Sequence, residues 1–347
     1  MKRYLFYIVH NYCFEVLRPL QTEIRNQGGE VAWFVEGDEI NTTYFTSDEI
    51  RLKSIAEVVD YKPLAVFAPG NLVPDFIPGL KVCVFHGFVG YKTRLKDNVN
   101  YHFIIRDCFD LYCTHGHSST FTFKELALQH GHFQVAETGY CKMDPYFNGT
   151  YDAPKTAQRL TILFSSTFSP RMTQAPRLKK TIEALSKDQK WRWKVTFHPK
   201  MDKNIVAEYK AMQHDNLMFI ETDKLAPHMV EADVMLGDNS SMITDFLLLN
   251  KPVVTFNNEA PKPYLHNITD VNQLENALAY GLSRPPELMQ KITEFAQLTH
   301  PYIDGESSKR VLLAVEQAII NLPNLKSKPA NLIRNLKLRH KFSYWKF

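Results

Sequence analysis

Two histidines in the sequence each follow a short apolar run directly. His86 follows the run 82–85 and precedes Gly87, and His198 follows the run 193–197. An imidazole titrates near neutral pH and can accept a proton from a hydroxyl group, while a neighbouring glycine lets a substrate approach the backbone. An imidazole can also stabilise charge that grows on a phosphate leaving group. Taken alone, each histidine could equally serve only to hydrogen-bond its own loop, so further polar groups must decide.

A polar turn rich in hydroxyl and carboxyl groups follows the apolar run 234–236 and opens a predicted helix. The turn contains Asp238, Ser240 and Ser241, and Asp245 lies within the helix. Free backbone N–H groups and the positive end of the helix dipole make such a helix start an anion site that suits phosphate. Helix capping accounts for one serine and for Asp238. It does not account for the second serine or for Asp245, so the pattern favours phosphate binding.

The elements that must position these residues alternate between short apolar runs and longer stretches of helical period. This pattern predicts repeated strand-helix units on parallel sheets, and therefore an α/β fold. Strands are predicted at 4–9, 31–35, 65–68, 82–85, 110–113 and 135–138, and then at 160–164, 193–197, 217–220, 234–236 and 253–256. Helices are predicted at 14–26 and 118–130, and most of 273–322 is predicted to be helical.

A polar, turn-rich stretch at 139–154 separates the two series of strands. We therefore predict an N-terminal domain at 1–150, a C-terminal domain at 151–322 and a basic aromatic tail at 323–347. The final helices could cross back to the first domain. Ligands of open α/β sheets bind where loops leave the carboxyl ends of strands. Ser166, Thr167 and Thr222 follow second-domain strands in this way and are candidate nucleotide contacts.

The overall composition excludes several classes of protein. The 347 residues are 44% hydrophobic, which is enough to fill two cores. A net charge of +4 is too small for a dedicated nucleic-acid-binding protein, and five cysteines without CxxC spacing indicate neither a disulfide framework nor a zinc site. The sequence contains no signal peptide, no apolar run that could span a bilayer, no GxGxxG loop and no P-loop. We expect a cytoplasmic protein without a cofactor or metal in its site, although metal dependence stays open.

The polar motifs resemble, in order along most of the chain, those of the CDP-glycerol glycerophosphotransferases, which build teichoic-acid-like and capsular glycerol-phosphate polymers. The matching pieces are Phe85-His86-Gly87 with Lys92, Thr138-Gly139-Tyr140 with Asp144 and Phe147, Ile162-Leu163-Phe164 with Ser166-Thr167-Phe168, Phe197-His198-Pro199, Asp238 with Ser240-Ser241 and Asp245-Phe246, Lys251-Pro252-Val253, and the run 302–308 with Arg310. Each piece alone is weak, whereas seven in sequence are specific.

This resemblance implies a GT-B fold, in which two Rossmann-like domains, one for the acceptor and one for the donor nucleotide, face each other across a cleft. It implies that His86 is the general base on an acceptor hydroxyl, with Gly87 and Lys92 on the acceptor side. The donor pyrophosphate would be held by His198, Ser240 and Ser241, in a pocket shaped by two acidic residues, Asp238 and Asp245. The hydroxyl of a glycan or lipid-linked acceptor would attack the β-phosphorus of CDP-glycerol and release CMP.

Two other functions are compatible with these sequence features. A GT-B glycosyltransferase or epimerase would use a nucleotide sugar, because the same architecture hosts those reactions with similar anion sites. A non-catalytic nucleotide-binding subunit of a polymer assembly complex would bind the donor without turnover. The presence of both histidines and of the complete serine turn argues against the non-catalytic subunit.

The tail at 331–347 combines five basic residues with leucine and aromatic side chains and contains no acid. Its basic residues are Arg334, Lys337, Arg339, Lys341 and Lys346. An imperfect apolar stripe at helical spacing has two interpretations. The tail is either a terminal helix packed on the N-terminal domain, or a peripheral attachment to an anionic surface at the inner face of the cell membrane.

Overall fold

Strands and helices alternate along the chain and build two parallel sheets in this computed structural model, which describes residues 1–89, 100–151 and 159–346. The chain forms two compact units, Met1–Asn148 together with Leu298–Phe347, and Gly149–Gln297. The predicted α/β class is therefore confirmed. Within the described ranges, no helix combines the length and the apolar character that a membrane span requires.

The sheet of the first unit has seven parallel strands. They are β1 (Arg3–Ile8), β2 (Glu30–Val35), β3 (Ile50–Leu52), β4 (Ala65–Ala68), β5 (Leu80–Cys83), β6 (Leu111–Thr114) and β7 (Gln134–Glu137). Their order across the sheet is β3-β2-β1-β4-β5-β6-β7. This is the Rossmann order with one added strand, and the direction of winding reverses between β1 and β4, the point where such sheets bind ligands.

The sheet of the second unit repeats the same order with six parallel strands. They are β8 (Thr161–Ser166), β9 (Arg192–Phe197), β10 (Leu217–Phe219), β11 (Val234–Gly237), β12 (Val253–Phe256) and β13 (His266–Ile268). Their order is β10-β9-β8-β11-β12-β13. The winding therefore reverses between β8 and β11, which makes the loops after these two strands the expected ligand-binding loops of this unit.

Helices connect the strands of both units. They are α1 (Cys13–Asn26), α2 (Ile55–Tyr61), α3 (His117–His130), α4 (Asp144–Phe147), α5 (Ala175–Lys187), α6 (Lys203–Ala211), α7 (Leu225–Glu231), α8 (Met242–Leu248), α9 (Leu274–Leu282), α10 (Pro286–Thr299), α11 (Ser307–Asn321) and α12 (Leu332–Lys341). Short 3₁₀ helices lie at Thr42–Tyr44, Tyr101–Phe103, Cys141–Met143, Thr222–Lys224, Val271–Gln273 and Leu322–Asn324.

The core of each unit lies between its sheet and the helices that cover the sheet. Strands buried on both faces of a parallel sheet read as continuous apolar runs, and β1 shows this with five consecutive buried residues after Arg3. Helix α1 presents Leu17, Leu20 and Ile24 on one buried face because these residues recur at helical spacing. In the second unit, the buried core includes Trp193 of β9.

The C-terminal segment differs from the sequence-based division of the chain. That division placed 151–322 in one domain and 323–347 in a tail, whereas residues from Leu298 onward belong to the first unit. Helix α11 packs against the first unit through a buried face made of Val311, Leu312, Val315 and Ala318. The spacing of apolar residues shows that a helix has a buried face but does not show which sheet that face covers, so it could not assign α11 to a unit.

The tail also packs on the first unit along one side. Phe342 and Tyr344 contact its core cluster, and Arg339 forms an ion pair with Asp75 at 3.0 Å. Two further differences from the sequence prediction concern the strands. The predictions missed β3 and β13, because these three-residue strands contain polar residues and so do not form apolar runs, unlike the equally short β10.

Candidate active site

His86 is presented by an unusual backbone conformation at the residue before it. Strand β5 ends at Cys83, two residues earlier than predicted, and Phe85 has φ +56°, in the left-handed region that bulky residues rarely adopt. The Phe85 ring is buried against four aromatic or imidazole rings, those of His102, Tyr112, His115 and Phe123. This packing holds the strained residue in place, and such strain is concentrated at functional sites.

The imidazole of His86 is oriented by a backbone carbonyl group. Its Nδ1 lies 3.1 Å from the carbonyl oxygen of Pro69, which follows β4, and its ring packs at 5.2 Å from the ring of Tyr12, which follows β1. Because a carbonyl oxygen can only accept, Nδ1 carries the proton and Nε2 of the neutral ring keeps its lone pair. His86 thus lies where the sheet reverses its winding, with the atom of a general base available.

The protonation state of His86 suits a base. Burial lowers the pKa of its imidazole, the nearby His10 lowers it further, and the bond to Pro69 acts in the opposite direction. The ring is therefore neutral near pH 7. Among the described residues, a Cβ added to Gly87 would meet no heavy atom within 4 Å, so there is open space beside the histidine. Lys92 lies outside the described residues.

Asp238 joins the loops that follow β8 and β11 in the second unit. Its buried carboxylate accepts hydrogen bonds from the Ser166 hydroxyl and from the backbone N–H groups of Thr167 at 2.9 Å and Gln174 at 3.0 Å. Burial raises the pKa of Asp238, while these donors lower it. Because its carboxylate oxygens accept these bonds from the loop after β8, Asp238 holds together the two loops that follow β8 and β11, where the winding of the sheet reverses.

The two serines of the polar turn differ in what their hydroxyl groups do. The Ser240 hydroxyl accepts a bond from the backbone N–H of Met242 at 3.3 Å. Ser241 is the N-cap of α8 and is exposed, and within the described chain its side chain makes no capping hydrogen bond. Asp245 lies in the first turn of α8, where a negative charge is favoured by the helix dipole. The exposed Ser241 hydroxyl is therefore the candidate ligand contact of this turn.

His198 has the opposite hydrogen-bond arrangement to His86. Its Nδ1 accepts a bond from the backbone N–H of Lys200 at 3.0 Å. Because a backbone N–H can only donate, the proton of the neutral ring is on Nε2, which is a donor. Burial lowers the pKa of His198, and the charge of Lys200 lowers it further. The ring packs at 4.5 Å from the ring of Phe168, which follows β8, so β9 and β8 present their loops together.

The three candidate nucleotide contacts are not equivalent. Ser166 is only 1% exposed, and its hydroxyl bonds to Asp238 and to the Thr173 hydroxyl. Thr222 is partly exposed and donates its hydroxyl proton to the carbonyl oxygen of Phe197 at 3.0 Å. Thr167 is partly exposed, and its backbone N–H is bound to Asp238. The structure thus brings Thr167 and His198 to neighbouring strand ends, beside the turn that contains Ser241, and turns Ser166 inward.

The sequence pattern of the family described as CDP-glycerol:poly(glycerophosphate) glycerophosphotransferase matches residues 107–317, more than half of the chain. The chain belongs to this family. The matched range contains His198, Ser240 and Ser241, whereas His86 lies before it. The predicted family resemblance is confirmed.

One curated relative of this glycerophosphotransferase family member is the teichoic acid glycerol-phosphate primase of Bacillus subtilis (strain 168). The two chains are 24% identical over 201 residues, which cover 54% of this chain and 52% of the primase. The chain therefore spans about half the length of the curated relative that it matches.

Solved structures with the same fold include transferases and epimerases. The wall teichoic acid polymerase TagF has a TM-score of 0.62 at 12% identity, over 92% of this chain and 90% of that chain. MnaA of S. aureus, solved with UDP, has a TM-score of 0.62 at 15% identity, over 95% and 99%. UDP-GlcNAc 2-epimerase of Neisseria meningitidis has a TM-score of 0.58 at 13% identity, over 91% and 100%. These similarities confirm the GT-B class for this family member.

The sequence motifs include several polar residues of this family member whose contacts could not be predicted. The Asp144 carboxylate accepts bonds from the backbone N–H groups of Ser307 and Ser308, both at 2.8 Å, at the start of α11. These groups are more than 160 positions apart in sequence, so spacing could not reveal the contact. Two buried histidines, His115 and His300, also lie around the ring of Phe88, two residues after His86. Nothing in their local sequence marked them.

Proposed function

We propose that this chain transfers glycerol phosphate from CDP-glycerol to a hydroxyl group of a glycan, lipid-linked or glycerol-phosphate acceptor and releases CMP. The observation that carries the proposal is the hydrogen bond between His86 and Pro69, because it leaves Nε2 as an acceptor for a hydroxyl proton. Family membership supports the donor. A structure of TagF obtained after a soak with CDPG supports it further, since that protein has the same fold.

In the proposed reaction, His86 removes the proton from the acceptor hydroxyl as its oxygen forms a bond to the β-phosphorus. The bond between that phosphorus and the oxygen bridging to the α-phosphorus breaks, and CMP leaves with the bonding electrons. His198 donates its Nε2–H to an oxygen of the donor diphosphate. A hydrogen-bond donor placed where negative charge develops stabilises the transition state more than the ground state, and this raises turnover.

The remaining site residues have supporting roles in this proposal. The Ser241 hydroxyl and the first backbone N–H groups of α8 bind a phosphate oxygen, and Asp245 shapes that pocket. Asp238 and Ser166 position the loops without touching the donor, because both are buried and bonded to each other. Thr167 and Thr222 contact the nucleotide, and Gly87 lies on the acceptor side, while the assignment of Lys92 to the acceptor rests on the family motif alone.

A second candidate function is transfer or epimerisation of a nucleotide sugar. The observation that favours it is the fold similarity to MnaA and to the Neisseria meningitidis epimerase, whose structures contain UDP and UDP-GlcNAc respectively. Both candidate functions would use the anion site after β11, so the fold alone does not distinguish glycerol phosphate transfer from nucleotide-sugar chemistry. The nucleotide released does separate them.

The deciding experiment incubates the purified chain with CDP-glycerol, CDP-ribitol or a UDP-sugar, together with a glycerol-phosphate or lipid-linked acceptor. We expect CMP release from CDP-glycerol that depends on the acceptor and is lost in His86→Ala. His117→Ala is the matched control, since His117 is exposed at the start of α3. Release of UDP alone would favour the second candidate. Tight binding of CDP-glycerol without turnover on any acceptor would favour a non-catalytic subunit.

We also propose that the exposed side of α12 attaches the protein to an anionic membrane surface. Leu332 and Ile333 are 69% and 74% exposed, and Leu336 is 48% exposed. Arg339 and Lys341 are paired with Asp75 and Glu36 of the same unit. Arg334 is partly buried and donates to the carbonyl oxygen of Arg106, whereas Lys337 and Lys346 are exposed and would contribute about 1 kcal/mol each near an anionic surface. Such attachment would place a cytoplasmic enzyme beside a lipid-linked acceptor.

A further inference from the structure

Three side chains that commonly bind metals converge in the first unit, away from the residues assigned to transfer. His130 is the last residue of α3, and Gly131, with φ +77°, ends the helix and turns the chain toward His132 and β7. Asp107 lies in the loop before β6. Its φ of +55° is in the left-handed region. Each residue offers one ligand atom, and these atoms all lie within 4.8 Å of one another.

The distances between these atoms fit a small coordination sphere. Oδ1 of Asp107 lies 3.2 Å from Nε2 of His132 and 3.7 Å from Nδ1 of His130. Zn²⁺ binds nitrogen and oxygen at about 2.0–2.2 Å, so two ligands of a tetrahedral zinc ion are about 3.3–3.6 Å apart. A zinc ion would therefore be accommodated with small side-chain adjustments. The sequence analysis did not predict this cluster, because it contains no cysteine and Asp107 lies 23 positions before His130.

A second observation points to a ligand at the same place. His132 is 3% exposed, and among the described residues its Nε2 makes no hydrogen bond of acceptable geometry, even though Asp107 is near. The buried Nε2 of His132 is therefore an unsatisfied polar atom beside the Asp107 carboxylate, and a metal ion at this place would satisfy it.

We propose that Asp107, His130 and His132 bind one divalent transition-metal ion, for which Zn²⁺ is the best fit. Two imidazoles and one carboxylate are a common ligand set for zinc. Asp107 and His130 are partly exposed, so water can complete the coordination as a fourth ligand. The amide of Asn331 lies 3.4 Å from the other carboxylate oxygen of Asp107 and orients that group, as outer partners of metal ligands do.

The ion would fasten three separate parts of the first unit to one another. It would join the end of α3 and the start of β7 to the loop that precedes β6. The C-terminal segment also contacts this cluster, because the backbone N–H of Lys326 donates a hydrogen bond to the carbonyl oxygen of Gly131, between the two histidines, at 2.9 Å. Metal binding would therefore stabilise the folded first unit, independently of glycerol phosphate transfer.

The test uses the untagged full chain, freed of metal by a chelator and then titrated with Zn²⁺ in competition with a chromophoric chelator. We expect one ion per chain and a rise in Tm of about 5 °C at a hundredfold excess of free Zn²⁺ over Kd. In His130→Ala, the affinity should fall by more than the ten- to hundredfold typical for loss of an outer partner. His117→Ala removes an exposed histidine of the same helix and should change neither value.

Substitution with Co²⁺ gives an independent measurement, because the intensity of its visible absorption reports the coordination number. We expect a four-coordinate spectrum in the unmodified chain and its loss in Asp107→Asn. If His132→Ala does not fold, His130→Ala and Asp107→Asn still decide, because both positions are partly exposed. The proposal is overturned if the unmodified chain binds no stoichiometric Zn²⁺, or if both variants bind it as tightly as the unmodified chain. Neither result bears on CMP release.

Discussion

Nδ1 of His86 lies 3.1 Å from the carbonyl oxygen of Pro69, and this bond fixes which ring nitrogen can accept a proton. His198 has the reverse arrangement, because its Nδ1 accepts from the backbone N–H of Lys200. One histidine is therefore prepared to remove a proton and the other to donate a hydrogen bond, and both are neutral near pH 7. In the proposed transfer, His86 would take the proton of the acceptor hydroxyl and His198 would stabilise the charge that develops on the leaving nucleotide.

Replacing His86 with alanine should lower kcat by about 10² to 10⁴, because proton transfer by a positioned base contributes about that factor. Donor affinity should stay nearly unchanged, since the proposed donor contacts are in the second unit. Steady-state kinetics together with calorimetric titration of CDP-glycerol would measure both quantities. Turnover equal to that of the unmodified chain would rule out His86 as the base.

The rate should depend on pH through the neutral form of His86. Burial places the pKa of this imidazole below the ordinary value of 6.5. The base is therefore active through neutral pH, and kcat/KM should fall only as the pH drops below about 6.5. Because the charge of His10 contributes to the lowering, His10→Gln should move this acidic limb to higher pH. If the acidic limb does not move in His10→Gln, the fall in kcat/KM comes from the titration of a group other than His86.

Asp238 and Ser241 should respond differently to substitution, although they lie in the same turn. Asp238→Ala leaves buried donors without an acceptor and should lower the free energy of unfolding by about 2 to 5 kcal/mol. Ser241→Ala should leave stability unchanged but raise the donor KM and lower kcat, because a phosphate contact serves both ground and transition states. Chemical denaturation and donor kinetics on both variants would check this. Equal losses of stability would contradict the separation.

Asp144 should matter for the attachment of α11 to the first unit. Asp144→Ala removes the acceptor for two backbone N–H groups at the start of this helix and should cost about 2 to 4 kcal/mol. Hydrogen exchange should show the loss of protection concentrated in α11. Asp188→Ala, at an exposed helix end in the second unit, is the control and should have little effect. An Asp144 variant as stable as this control would refute the structural role.

Membrane attachment through α12 should depend on its exposed apolar residues. Ile333→Glu should reduce sedimentation with anionic vesicles, whereas Leu128→Glu on α3, at a site that is 81% exposed, should not. Binding of the unmodified chain to neutral phosphatidylcholine vesicles should be weaker, because the exposed Lys337 and Lys346 then have no anionic lipid to attract them. Binding that ignores both lipid charge and Ile333→Glu would defeat the proposal.

The sequence predicted the features that depend on neighbouring residues. Buried parallel strands read as apolar runs, and a polar residue after such a run lies at the ligand-binding edge, so His86 and His198 could be found. Features that depend on distant residues could not be predicted. In the sequence, Ser166 looks the same as Thr167, a partly exposed residue at the end of the same strand. Its hydroxyl faces inward because it bonds to the buried carboxylate of Asp238, which is 72 positions away.

The left-handed conformation of Phe85 was equally invisible in the sequence, because phenylalanine has no preference for it. It is stabilised by rings from three later parts of the chain. The position of His86 near the end of a strand was thus predictable, whereas the geometry that orients its ring required the folded unit.

The return of residues 298–347 to the first unit affects the order in which the protein can fold during its synthesis. Helix α11 touches the first sheet at a point near β7, where the side chain of Gln134 donates to the carbonyl oxygen of Ala318 at 2.9 Å. The ribosome adds the whole second unit between these two residues. The second unit can fold as soon as its own residues emerge, but the part of the first sheet that α11 covers stays exposed until α11 is translated. The nascent first unit is therefore the part of this protein that a chaperone would be needed to protect.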